Sequence, residues 1–333
     1  MGSQTPSQHI LITGGAGFIG QDLAAALANT SDTLRLTLSD VVEPPVPKSI
    51  SNQAHRTNTV KCDLTDRSVI ASLFQQPYSA VYLLHGLMSG GAESNLELGW
   101  RVNWDSHRGI LDYLRLHHPG TVVVFPSSLA VYGPSRSEDP PTSERTCPLP
   151  QSSYGAQKLM VESYLNDMSR RGLLDGRIVR LPTIIVRPGA PSAAASSFAS
   201  GIVREPLNGQ ETVLPVARDL KMWVCSPETV VKNLILIKDV PANKFNLTRV
   251  VNLPGISVTV QEILSALEAV GGKKAIGLVK EERDAKIEAI VGSWPFRFDT
   301  RVAETLGMVP DVDLVQNVTA FSQRLQSSAE NSK

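Results

Sequence analysis

Three side chains in this sequence have the types and spacing to move a proton. Tyr154 and Lys158 stand four positions apart in Tyr154-Gly-Ala-Gln-Lys158, so on a helix they share one face. A phenol titrates near pH ~10, and a neighbouring cation favours its ionised form. Such a phenol can give or take a proton near neutral pH. Ser128, in Ser127-Ser128-Leu-Ala-Val-Tyr-Gly133, lies 26 residues earlier at the end of an apolar run. Its hydroxyl can bond an oxygen that passes between carbonyl and alkoxide. The chemistry on offer is exchange of a hydride and a proton between a secondary alcohol and a ketone. A Tyr-x-x-x-Lys spacing alone recurs often by chance, so its weight comes from what precedes it.

That context is Ile10-Leu-Ile-Thr-Gly-Gly-Ala-Gly-Phe-Ile-Gly20, followed by Gln-Asp-Leu-Ala-Ala-Ala-Leu. A short apolar strand must turn sharply into a helix. Gly14 permits the turn, Gly17 lets backbone N–H groups approach a pyrophosphate, and Gly20 lets helix and strand pack closely. The pattern is G-x-x-G-x-x-G, a variant of the dinucleotide fingerprint. A second strand over residues 34–39 ends in Asp40, 20 residues after the last glycine. An acid there accepts from the ribose 2′-OH of NAD and repels a 2′-phosphate. Lys158 can also reach the nicotinamide ribose hydroxyls.

The elements that must carry these residues alternate. Residues 10–40 read as β-α-β, 59–62 as a strand, and 66–75 as a helix capped by Asp66 with Val69, Ile70, Leu73 and Phe74 on one face. Residues 80–84 read as a buried strand, and 85–93 as a glycine-rich loop at its C-terminal end. A helical pattern over 96–117 holds Asn103, a poor helix former that should perturb the helix and hold a proton-relaying water for Lys158. Residues 121–126 and 177–181 read as strands, with Tyr154 and Lys158 on the helix between them. This alternation predicts an α/β, Rossmann-type doubly wound parallel sheet. A smaller C-terminal substrate-binding lobe is expected from the Pro, Ala and Ser content after residue 188. The expected division is 8–187 for the NAD-binding part, with 220–250 returning to its sheet, and 188–219 plus 251–326 for the lobe. Strand 223–226 and helix 230–237 are expected in the main sheet, helix 303–306 in the lobe, and disorder at residues 1–8 and 327–333.

Composition excludes other classes. Lys plus Arg equals Asp plus Glu at 32 each, and long basic runs are absent, which argues against nucleic acid as a partner. No apolar run is long enough to span a membrane. Cys62, Cys147 and Cys225 stand far apart without metal-ligand spacing and read as free thiols in a reducing, cytoplasmic setting.

Together, Thr13-Gly-Gly-Ala-Gly-Phe-Ile-Gly20, Asp40, Asp63-Leu64, Val102-Asn103, Ser127-Ser128…Val131-Tyr-Gly133 and Tyr154-Gly-x-x-Lys158 resemble the extended short-chain dehydrogenase/reductase family, the group with nucleotide-sugar epimerases and dehydratases. That resemblance implies Ser128, Tyr154, Lys158 and Asn103 as catalytic. It implies NAD held by Gly14, Gly17, Phe18, Ile19, Gly20, Asp40, Asp63, Leu64, His85, Gly86, Asn103, Tyr154, Lys158 and Pro182. It also implies a homodimer built on helices 96–117 and 153–168. Ser89-Gly-Gly-Ala-Glu93, Arg180-Leu-Pro-Thr-Ile-Ile-Val-Arg-Pro-Gly189, the Ala- and Ser-rich 193–201 stretch, Asn252-Leu-Pro-Gly255 and Gly292-Ser-Trp-Pro295 are similar to the D-erythronate dehydrogenase group. That group is implied to oxidise a sugar-acid hydroxyl to a 2-keto acid. His85, in Leu83-Leu-His-Gly86, departs from the family's small residue at this point.

An acidic substrate calls for a cation and hydroxyls. Arg187 and the hydroxyls of Ser89, Ser128, Thr183 and Ser196 are the candidates, with Arg204 and Arg218 as rival cations. The alternatives to a sugar-acid dehydrogenase are a carbonyl reductase of a non-sugar ketone, a nucleotide-sugar epimerase, and a cofactor sensor without turnover. The small, Ala- and Ser-rich lobe argues against the epimerase, and the intact Ser128, Tyr154 and Lys158 against the sensor.

Overall fold

A computed structural model describes residues 8–192 and 194–330. Residues 1–7, Ala193 and residues 331–333 lie outside the described residues, and with them most of the expected terminal disorder. The strands are β1 (His9–Thr13), β2 (Arg35–Asp40), β3 (Thr57–Lys61), β4 (Ala80–Leu83), β5 (Val122–Ser128), β6 (Asp175–Leu181), β7 (Thr183–Ile184), β8 (Thr212–Leu214), β9 (Lys221–Cys225), β10 (Val250–Asn252), β11 (Ile256–Thr259) and β12 (Val279–Glu281). The helices are α1 (Phe18–Ala28), α2 (Arg67–Leu73), α3 (Ser89–Ser94), α4 (Leu96–Trp100), α5 (Ser106–His117), α6 (Ser153–Arg170), α7 (Ser197–Leu207), α8 (Pro227–Asp239), α9 (Val260–Ile276), α10 (Ala285–Gly292), α11 (Arg301–Thr305) and α12 (Leu314–Glu330).

Seven parallel strands form the main sheet in the order β10-β6-β5-β4-β1-β2-β3. Read from its far edge, this is the 3-2-1-4-5-6 order of a doubly wound dinucleotide fold, extended by one strand. The order in which strands are added reverses between β1 and β4, so a crevice opens beyond their C-terminal ends. Alternation along each strand supplies both faces. Ile10 and Ile12 point to a layer containing Leu23, Leu27, Val230 and Leu234 from α1 and α8. Leu11 points to the opposite layer, with Ile70, Ile110, Leu111, Val161 and Leu165 from α2, α5 and α6. Because both faces are covered, the central strands read as near-continuous apolar runs.

A second core, including Phe198, Ile202, Val203, Ile263, Leu267, Val318 and Phe321, joins α7, α9 and α12. Four expectations about the C-terminal half need correction. Strand β9 lies in a three-stranded sheet between β7 and β11, not in the main sheet. Pro182 ends β6 because it offers no N–H to a ladder, and the bent chain then presents β7 to β9. Helix α8 alone returns to the main sheet, while β10 pairs with β6 as its outer strand, not with the lobe. Helix α11 likewise packs under the main sheet, since Ala303 shares a core with Val251 and Leu253. Finally, residues 327–330 continue α12 as helix.

Side-chain caps set several helix starts. Asp66 accepts from Ser68 N–H before α2, Ser152 from Gly155 N–H before α6, and Ser226 from Thr229 N–H before α8. Each such cap contributes about 1 kcal/mol. No helix among the described residues is long and apolar enough to cross a membrane. Cys62, Cys147 and Cys225 are unpaired.

Candidate active site

The turn from β1 into α1 shows why its glycines are glycines. Gly14 has φ +69°, and a Cβ there would lie 2.7 Å from His85 N. A Cβ on Gly20 would lie 2.4 Å from the Gly14 carbonyl oxygen, inside any tolerable contact. Gly17 is the N-cap of α1 with no side-chain cap bond, so the helix N-terminus is left to an outside acceptor. Asp40, at the end of β2, accepts from Ala16 N–H at 3.0 Å and from Val41 N–H at 2.7 Å. It braces the loop and still carries lone pairs toward the crevice.

Helix α6 is pinned where it meets β5. Glu93 accepts from Ser153 N–H at 3.0 Å, and a Cβ on Gly155 would lie 2.1 Å from the Ala130 carbonyl oxygen. This close approach delivers Tyr154 to the end of β5, where Ser128 caps the following turn by accepting from Ala130 N–H at 3.1 Å. Lys158 is buried. Its ammonium donates to the Pro126 carbonyl at 3.0 Å and lies 4.6 Å from the Phe125 ring centroid. One turn further on, Glu162 is locked to Arg180 by an ion pair of 2.6 Å.

The electrostatics differ from the expectation that Lys158 acidifies the phenol. Burial pushes the Tyr154 phenol up to about 12, while the Ser128 hydroxyl and the Arg187 charge pull the other way. Burial also draws the Lys158 ammonium down to about 8, against the attraction of Glu162. For each group the cost of desolvation outweighs the help of its neighbours, Ser128 and Arg187 for the phenol and Glu162 for the ammonium.

Asn103 departs from its expected role. It sits in a wide π turn, Arg101–Asp105, between α4 and α5, so the perturbation of the helix is real. But its side-chain oxygen accepts from Leu87 N–H at 2.7 Å, and its amide donates to Leu87 O at 3.0 Å and to Gln157 Oε1 at 2.8 Å. Both amide hydrogens are spent on protein, so Asn103 fastens the 86–88 loop and donates to no relay water. It is the one predicted site residue that does not line the cleft.

His85 is also more deeply engaged than a rim residue would be. It bridges Thr13 Oγ1 at 2.7 Å and Ser106 Oγ at 2.9 Å, and its ring stacks on His107 at 4.1 Å. Ser106 donates to the Val102 carbonyl at 2.6 Å, so Nε2 of His85 is the donor to Ser106. Burial, with Lys158 next, pulls this imidazole down to about 3 and keeps it neutral.

The remaining predicted residues meet in one cleft of about 570 Å³. One end is walled by Gly14, Gly17, Phe18, Ile19, Gly20, Asp40, Asp63 and Leu64. The middle holds His85, Gly86, Ser128, Tyr154, Lys158 and Pro182, and the far end Ser89, Thr183, Arg187 and Ser196. A glycine turn that only lacks side chains where a ligand would pass, at a bare helix N-terminus beside an acid, fits a dinucleotide. At the far end, Ser89 already accepts from Ala195 N–H at 3.1 Å, tying the loop after β4 to the lobe. Of the rival cations, Arg204 pairs with Glu205 and Arg218 with Glu281. Sequence reasoning missed Met88, Ser192 and Trp294 as lining residues. Trp294 comes from the lobe, and its indole nitrogen is buried without a partner among the described residues. The Gly292-Ser-Trp-Pro295 resemblance marked the stretch but not its place in the cleft, which depends on how the lobe closes over the sheet.

The chain is 42% identical over 328 residues to a D-erythronate dehydrogenase of Cupriavidus necator, covering 95% of this chain and 98% of that one. It is 41% identical to a D-erythronate dehydrogenase of Haemophilus influenzae, covering 93% and 96%. Among solved structures, a nucleoside-diphosphate-sugar epimerase from Agrobacterium tumefaciens superposes with a TM-score of 0.85 at 33% identity, over 96% of this chain and 95% of that chain. Residues 10–240 match the model of the NAD-dependent epimerase/dehydratase family, so the seven-stranded sheet, its glycine turn and the Tyr154–Lys158 helix are those of a member: the chain belongs to that family.

Proposed function

We propose that this chain is an NAD-dependent dehydrogenase of a small hydroxy acid, with D-erythronate as the leading substrate and its 2-keto acid as product. The observation that carries this is the meeting of Ser128, Tyr154 and Lys158 midway along a cleft with a glycine-turn helix terminus at one end and Arg187 at the other. The similarity to the two D-erythronate dehydrogenases supports the choice of substrate.

The cofactor would be held by Gly14, Gly17, Phe18, Ile19 and Gly20 at its pyrophosphate, by Asp40 at the adenosine ribose, and by Lys158 at the nicotinamide ribose. Asp63, Leu64, His85, Gly86 and Pro182 form its walls. When bound, NAD supplies the hydride acceptor. Ser128 donates to the substrate oxygen and holds the alcohol against Tyr154. Tyr154 takes the hydroxyl proton, and the reverse transfer returns it to the carbonyl oxygen. The neutral His85 holds the end of β1 to α5 and so shapes the middle of the cleft. Ser89, Thr183, Ser196 and Arg187 surround the rest of the substrate. Helices α4, α5 and α6 form the face through which two copies would pair, and the setting is cytosolic.

The test is a panel of four- to six-carbon sugar acids and simple ketones, followed by NADH absorbance. D-Erythronate should be oxidised with NAD, and Tyr154→Phe should lower turnover by at least 1,000-fold (~4 kcal/mol) while NAD binding persists. Near-normal turnover by that variant would refute the assignment of the base.

A further inference from the structure

A cleft that must hold an anion needs a cation whose bonding is not already spent on protein. Arg218 is spent: it donates to Glu281 at 2.6 and 2.9 Å and to Gln261 at 3.0 Å. Arg204 is spent as well, on Glu205 at 2.6 Å and on the Arg187 carbonyl at 3.0 Å. Arg187 is not. It lines the cleft, and its Nη2 is buried without a hydrogen-bond partner among the described residues. Its backbone, by contrast, is fixed on both sides. The N–H donates to Ser200 Oγ at 3.0 Å, and the carbonyl accepts from Arg204. A guanidinium buried with open donors is costly unless something fills them. Burial first, and Arg204 next, draw it down to about 10, so it is still a cation at neutral pH.

We propose that Arg187, which shares the cleft with Tyr154, docks the substrate carboxylate through its open Nη2, and that the same charge bears on the Tyr154 phenol. This rests on the dehydrogenase reading above and deepens it. Lys158 from α6 and His85 line the cleft with this pair, and Arg204 from α7 bonds the Arg187 carbonyl while it is held by Glu205. The guanidinium favours the phenolate, against the larger effect of burial. A docked carboxylate takes up the same charge, so acid binding and Tyr154 ionisation oppose one another, and by linkage the effect is reciprocal. A neutral substrate feels no such competition.

The comparison that tests this uses D-erythronate and its uncharged amide with wild type, Arg187→Met and Arg187→Lys. The Met variant should lose on the order of 100-fold in kcat/KM for the acid and under about 3-fold for the amide, with NAD affinity unchanged. The Lys variant should recover part of the acid activity. The pH at which kcat/KM for the amide rises should move upward in Arg187→Met. Equal losses on acid and amide, or an unmoved pH profile, would overturn the proposal. Should wild type oxidise neither compound, calorimetric titration of D-erythronate onto NADH-loaded protein decides. Acid binding that vanishes in Arg187→Met keeps the arginine assignment and retires the dehydrogenase reading, whereas equal binding by both proteins overturns the assignment.

Discussion

Two glycines of one turn should fail in different ways when each is given a methyl group. At Gly20 the new Cβ would lie 2.4 Å from the Gly14 carbonyl oxygen and 3.0 Å from Gly15 Cα. Both neighbours are backbone, and Gly20 itself is buried in α1. Nothing flexible can yield, so α1 must back away from β1. Overpacking of this kind costs about 1–3 kcal/mol. For a chain of this size, each kcal/mol lowers Tm by roughly 1–2 °C, so Gly20→Ala should melt about 1–5 °C early. At Gly17 the Cβ would meet only the Gly14 oxygen, at 3.3 Å, and the backbone angles of φ −70° and ψ 158° suit any residue. The stability cost there is the difference between Gly and Ala at an N-cap, under about 1 kcal/mol. Its methyl group would instead stand in the cleft, where backbone must approach the ligand. Gly17→Ala should therefore weaken NAD at least tenfold (~1.4 kcal/mol) with little change in Tm. Calorimetric NAD titration and thermal unfolding of the free protein measure the two effects separately. If Gly17→Ala bound NAD as wild type does, or Gly20→Ala melted at the wild-type temperature, the division of labour between the glycines would be wrong.

Asp40 should make NAD the preferred cofactor, and Asp40→Ala should narrow the NAD-to-NADP ratio of kcat/KM by on the order of tenfold. Equal wild-type efficiency with both cofactors would contradict the role given to that carboxylate. Burial holds the Lys158 ammonium at about 8 rather than its ordinary 10.5, so the folded state binds fewer protons than the unfolded state between those values. Stability should rise with pH across that window, because the full penalty stands below pH ~8 and is relieved as the unfolded-state ammonium titrates. Lys158→Met removes this contribution, so the stability gap between wild type and variant, read from urea unfolding at pH 7.5 and 9.5, should shift in wild type's favour by about 1–3 kcal/mol. A gap independent of pH would show that Lys158 is not desolvated.

Much of this molecule was legible one segment at a time. Period-two and period-3.6 apolar patterns, the glycine turn, and the capping acid before α2 are local statements, and the main sheet followed from them. The errors were made where a strand's partner lies far off in sequence. Strand β9 reads as a core strand, which it is, but nothing within residues 221–225 says that its neighbours are β7 and β11. Asn103 was correctly singled out as a disturbance in a helix, yet its two partners, Leu87 and Gln157, could not be named in advance.

The sequence by itself determined that a dinucleotide turn, a phenol–ammonium pair and a serine would share the C-terminal edge of one parallel sheet. It could do so because strand alternation and connection length leave few ways to arrange such a chain. Tertiary structure alone decided which arginine kept an open valence, which charges were stripped of water, and which lobe residue closed the cleft. Those outcomes depend on burial and on partners 16 to 63 positions away, as with Arg218 and Glu281 or Asn103 and Leu87. Desolvation and pairing are properties of a place in space, and a residue's place is known only once the chain has folded.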